Sequence, residues 1–163
     1  MLIQNKTGNL ASFDAGSRKI DLLCLEWFEV RKRLLRRTTQ GGTEVSIKFL
    51  QENPELTDGD VLYADDAMLI AVSILACNCI VLQPVNMFQM ASVCYEIGNK
   101  HLPLFYDQDV LLVPFEKPLY KLLLAQGYAV TQEERKLLKP LKTTVSPHGN
   151  SDSLFSKIMK ITG

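Results

Sequence analysis

An α+β fold, built as two folded parts and a tail, is what this sequence predicts, and three observations predict it. Residues 1–76 break into short apolar runs separated by Gly, Asn, Asp and Pro turns, the rhythm of a small all-β domain. Residues 77–142 carry strand and helix patterns in the order strand–helix–strand–strand–helix–strand, which is the ferredoxin-like βαββαβ arrangement. Residues 143–163 open on a stretch of Ser, Pro, Gly and Asn, the composition of a flexible C-terminal tail.

The N-terminal elements follow in order. Residues 1–10 read as a first strand, and Phe13-Asp14-Ala15-Gly16-Ser17 as a turn. Residues 20–24 form a short apolar run. Residues 34–39 and 43–50 flank Gln40-Gly41-Gly42, the form of a β-hairpin. Val45, Ile47 and Phe49 alternate with Ser46 and Lys48, as a half-buried strand requires. Asn53-Pro54 breaks the chain; Asp58-Gly59-Asp60 turns into Val61-Leu62-Tyr63, and Asp65-Asp66 turns into a strand over residues 68–76. Such strands suit a small sandwich or barrel.

The second half begins with a strand over residues 79–82. Met87, Met90, Ala91, Cys94 and Ile97 then recur at helical spacing, with Asn86 as N-cap and Gly98 as the left-handed stop. Pro103 forbids further helix and biases Leu102 toward an extended backbone. Residues 102–106 and 110–114 pair as strands around Asp107-Gln108-Asp109. Pro118 suits the first turn of a second helix, Gly127 ends it, and Tyr128 opens the last strand. Near the C-terminus Leu154, Phe155, Ile158 and Met159 form an apolar patch at helical spacing, for the chain's own surface or a partner.

The chain has only two histidines, His101 and His148. His101 falls on the short junction between the first helix and the next strand. That gives it exposure and a fixed direction, which suits a metal ligand or an acid–base group. A surface histidine without a role is the plain alternative.

Composition narrows the classes. Hydrophobic content of 47% and charged content of 22% describe a soluble globular protein. A net charge of zero points to neither nucleic acid nor a membrane surface. The longest apolar run, residues 68–76, is far below the roughly 20 residues that span a bilayer. The N-terminus has no secretory pattern, and four cysteines without one are expected as reduced thiols in the cytoplasm.

Gly98-Asn99-Lys100-His101-Leu102-Pro103-Leu104 resembles the Gly-Asn-Arg/Lys-His segment of the urease accessory nickel chaperones, the UreE family. Trp27-Phe28-Glu29-Val30-Arg31-Lys32-Arg33, Asp58-Gly59-Asp60-Val61-Leu62-Tyr63 and Val113-Pro114-Phe115-Glu116-Lys117-Pro118 also resemble family segments, in the same order. The resemblance covers roughly residues 1–148. It implies an N-terminal β domain that contacts proteins, and a ferredoxin-like domain for metal binding and dimerisation. It implies Ni2+ as cargo, with Zn2+ or Cu2+ competing for the same imidazoles. It implies a homodimer whose two His101 side chains share one ion at the twofold axis. His148 resembles a histidine of the family's C-terminal segment and is the expected supplementary ligand. The implied partners are the urease accessory GTPase (UreG) and the urease apoprotein. Lys100 stands where arginine is common in the family. Imidazole binds metal only when neutral, so affinity is expected to weaken as pH falls through about 6.5.

Other chemistry is weighed beside this. Cys77-Asn78-Cys79 is a rival metal motif, because residues two apart on a strand face the same way. Structural burial is the competing reading, and Cys24 and Cys94 are expected in the core. Arg31, Lys32, Arg33, Arg36 and Arg37, beside Trp27 and Phe28, support an alternative function as a nucleic-acid-binding module that uses this cluster and the ferredoxin-like sheet; a solvated face, which the zero net charge favours, and a protein-docking surface are the other readings. A zinc-dependent hydrolase would need an open coordination position and an acid–base residue beside it. There is no phosphate-binding glycine loop, Gly-x-Ser-x-Gly element or His-Glu-x-x-His, and no catalytic constellation is expected.

Overall fold

The computed structural model describes residues 1–50 and 55–141. The Asn53-Pro54 break, the tail with His148 and its apolar patch lie outside those residues.

The N-terminal part is two facing sheets. Strands β1 (Leu2–Ile3), β4 (Leu34–Thr38) and β5 (Glu44–Lys48) form one, in the order β1-β5-β4. Strands β2 (Gly8–Asn9), β3 (Lys19–Leu25), β6 (Asp60–Ala64) and β7 (Met68–Ile74) form the other, in the order β2-β6-β7-β3. The inward set of each alternating strand meets in one core of Ile3, Leu23, Leu25, Leu35, Val45, Ile47, Leu62, Ile70, Val72 and Ile74. A small sandwich is therefore correct. The β4–β5 hairpin turns at Gly42, whose φ of 90° suits glycine. The expected first strand over residues 1–10 is instead two short pieces in different sheets. β1 runs parallel to β5, whereas β2 pairs antiparallel with β6.

Between β7 and strand β8 (Ala76–Leu82) only Leu75 intervenes, and there the chain passes into a third sheet. This sheet adds β9 (Phe105–Asp107), β10 (Val110–Pro114) and β11 (Val130–Lys136), in the order β11-β8-β10-β9. With helices α1 (Met87–Asn99) and α2 (Lys117–Ala125), that order is the ferredoxin-like arrangement. Period-2 alternation along β8 splits two cores. Ile80 and Leu82 face α1 and α2, meeting Val93, Ile97, Leu119 and Leu123. Cys79 and Val81 face the other way, meeting Phe105, Leu112 and Leu137, with Trp27 reaching over from the first part. The sheet is thus buried on both sides, which is why residues 79–82 read as an unbroken apolar run.

Several expectations shift. The strand over 102–106 shortens to β9, since Pro103 has no N–H for a ladder. The last strand starts at Val130 and not at Tyr128. Along α1 the inward residues are Val93 and Ile97, with Cys94 packed beside them. Met87 and Ala91 point outward, and Met87 is 87% exposed. The helix carries apolar residues on two faces, so periodicity alone placed Cys94 and Ile97 on the inward side correctly but added Met87, Met90 and Ala91, which are exposed, and missed Val93. Cys24 and Cys94 are half-buried where full burial was expected, and Cys94 packs at the edge of the core beneath α1.

Candidate metal centre

His101 is placed by the end of α1. Asn86 caps the start, its side chain accepting the Gln89 N–H at 2.9 Å. Val93 and Ile97 then anchor the helix to the sheet, each burial contributing roughly 1.5–3 kcal/mol. The expected stop at Gly98 is not where the helix ends. Gly98 lies inside the last turn, and Lys100 is the C-cap in right-handed geometry.

The left-handed residue is His101 itself, with φ of 55°. Its N–H donates to Gly98 O at 3.0 Å, and the Leu102 N–H reaches back to Ile97 O at 3.3 Å. These two bonds are a Schellman closure, with histidine in the position that glycine usually takes. Leu102 packs on the same core as Ile97, the apolar contact that accompanies such a closure. This spacing, an apolar residue five after another and just before proline, was the overlooked sequence signal. A non-glycine residue held in this region carries a backbone cost and tends to occur where a site needs it.

His101 is exposed, and its ring has no hydrogen bond or ion pair among the described residues. Beside it Lys100 Nζ pairs with Glu96 at 3.3 Å. Among the described residues no three metal-ligating side chains converge. Among the described residues one chain therefore offers one directed imidazole, short of the four donors that a tetrahedral ion takes.

The rival motif lies on the sheet face opposite the helices. Cys77 and Cys79 turn the same way, with sulfurs 3.6 Å apart. Cys79 is buried and Cys77 half-buried. Burial, then the contact with Cys79, pushes the Cys77 thiol up to about 12. Burial also pushes the Cys79 thiol up.

The basic cluster is answered by carboxylates. Arg37 and Lys32 both bind the buried Glu29, Arg36 pairs with Glu44 at 3.1 Å, and Arg31 lies 3.8 Å from Glu55. Burial would raise the Glu29 carboxyl, but the Glu26 N–H, Lys32 and Arg37 hold it below its ordinary range. Asp65 and Glu133 are likewise held in structural contacts. Asp65 accepts the Ala67 and Met68 N–H groups of its turn, and Glu133 takes Thr131 and Arg135.

The chain matches two family models in succession. Residues 3–75 match the N-terminal domain of the UreE urease accessory protein, and residues 77–151 match its C-terminal domain. It is 47% identical to a urease accessory protein UreE of Flavobacterium johnsoniae, over 99% of both chains. It is 39% identical to one of Haemophilus influenzae, over 86% of this chain and 78% of the relative. With one of Acetivibrio thermocellus it shares 36% identity, over 94% and 99%. The chain belongs to the UreE urease accessory protein family.

Proposed function

We propose that this protein is a homodimeric nickel chaperone for urease maturation, gripping Ni2+ between two copies of His101. Family membership supports an accessory role to urease rather than catalysis. The observation that carries the finer reading is Gly98. Its backbone is helical, so no left-handed φ demands glycine. Among the described residues beyond its own turn of helix, a Cβ built there would meet nothing within 4 Å. Glycine at an open, outward position one turn before His101 suits the close approach of a second chain. The outward face of α1 agrees: Met87, Phe88 and Tyr95 are 87%, 80% and 73% exposed, an apolar strip suited to an isologous contact.

In this reading residues 77–142 are the metal-binding and dimerisation domain, and residues 1–76 contact partner proteins. His148 completes the ligand set from the tail, and Zn2+ or Cu2+ competes for the same imidazoles. Few ligands favour transfer over retention. The ion passes by ligand exchange to the accessory GTPase, and through it to the urease apoprotein, in the cytoplasm. Among the described residues no helix is long and apolar enough to cross a membrane. The nucleic-acid reading is weaker, because four of the five cations in its cluster pair with carboxylates.

The test is nickel titration with sedimentation of the wild type, His101→Ala and His148→Ala. One tight Ni2+ per dimer is expected, lost in His101→Ala and weakened in His148→Ala with the dimer intact. A strictly monomeric loaded protein, or wild-type affinity in His101→Ala, sinks the proposal.

A further inference from the structure

We infer that Cys77 and Cys79 form a second cation site, independent of His101, for a thiophilic d10 ion of the zinc, cadmium or cuprous class. The two sulfurs stand 3.6 Å apart. Two thiolates held ~2.3 Å from one tetrahedral ion stand about 3.8 Å apart. Chelation thus asks for a movement of a few tenths of an ångström.

A disulfide fits less well. β8 pairs with β11 without a break, Cys77 opposite Arg135 and Cys79 opposite Glu133. Residues two apart in such a strand are separated by about 6.6 Å at Cα, near the far limit for a disulfide. Closing that bond would require the strand to buckle.

The surroundings define the class of ion. Cys79 lies in the apolar core with Val81, Phe105, Leu112 and Leu137, and Cys77 packs at its edge within the field of Glu26 and Glu134, so the two sulfurs are the donors on the buried side and a strongly hydrated ion is disfavoured there. Burial pushes both thiols up. The incoming ion must release two protons, which soft thiolate-seeking ions do best. Cys77 is half-exposed and gives the entry path. Two protein donors leave the remaining positions to water or an external thiol, so this is an exchangeable site. It faces away from α1 and His101, because Cys79 and Ile80 sit on opposite sides of β8.

The test adds Cd2+ to the reduced full chain and reads the near-ultraviolet thiolate-to-metal band. Emission from Trp27, the only tryptophan, which packs on the same core, is a second readout. The band should saturate at one Cd2+ per chain. It should survive in His101→Ala and in the Cys24→Ser, Cys94→Ser double variant, and vanish in Cys77→Ser. Cys77→Ser keeps the test sound if the buried Cys79→Ser fails to fold. Absence of the band in folded wild type, its survival in Cys77→Ser, or its loss in His101→Ala alone overturns the site. So does rapid closure of a Cys77–Cys79 disulfide under mild air oxidation.

Discussion

Trp27 and Phe105 meet edge to face, their ring centroids 5.6 Å apart and their planes at 81°. Trp27 follows β3 of the N-terminal sandwich, and Phe105 opens β9 of the ferredoxin-like sheet. Trp27 packs against both cores, so one side chain belongs to two hydrophobic units. A second tie is polar: Lys136 Nζ reaches Asp58 at 3.1 Å. The aromatic contact dominates, since an exposed ion pair contributes at most about 1 kcal/mol.

Trp27→Ala should therefore cost about 2–3 kcal/mol, less than a fully buried tryptophan because Trp27 is half-exposed. It should also uncouple the two parts. Denaturant unfolding followed by circular dichroism and by hydrogen exchange should show separate transitions for residues 1–76 and 77–142. Coincident transitions in the variant would show that the joint rests elsewhere.

His101→Gly should stabilise the fold by about 0.5–1 kcal/mol relative to wild type, because glycine takes the left-handed conformation freely. His101→Ala keeps the backbone cost and should give no such gain. Both delete the imidazole. Thermal unfolding of the metal-free proteins separates the roles: equal melting temperatures for Gly and Ala would refute the left-handed assignment.

Gly98→Gln should raise the stability of the isolated subunit by about 0.5 kcal/mol, since the residue is helical and the added side chain meets open space. The same variant should weaken self-association by placing bulk on the outward face of α1. Sedimentation over a dilution series measures it. Unchanged association would mean that the dimer uses another surface.

Acid sensitivity should trace to Asp60. Burial would raise this carboxyl, but the Thr57 N–H, Asn9 and Lys6 together hold it below the ordinary carboxylate range. A carboxyl depressed in the folded state adds stability that is full above the unfolded value of about 3.9 and is lost as pH falls through the depressed native value. Unfolding free energy should fall across that acid window, and Asp60→Asn should flatten the fall while lowering stability at pH 7. An unchanged pH slope in Asp60→Asn would assign the acid response to other carboxyls, Asp21 and Glu29 first.

Local rules were enough wherever one residue type answers one backbone demand. Asn86 as cap, Pro118 in the first turn of α2, Gly42 in the hairpin and Gly127 after α2 were all legible, because each satisfies its neighbours within a few residues. The class of fold was legible for the same reason, since a change of period from two to 3.6 marks each element before any packing occurs. Only the tertiary structure decided the rest. It chose which of two apolar faces of α1 turns inward, by offering Ile80 and Leu82 to Val93 and Ile97 and leaving Met87 in water. It carried the end of that helix past Gly98 to His101, because Leu102 could reach the same core as Ile97. Burial is won by fit against distant residues, and a linear pattern records that an apolar side chain exists without recording what stands opposite it.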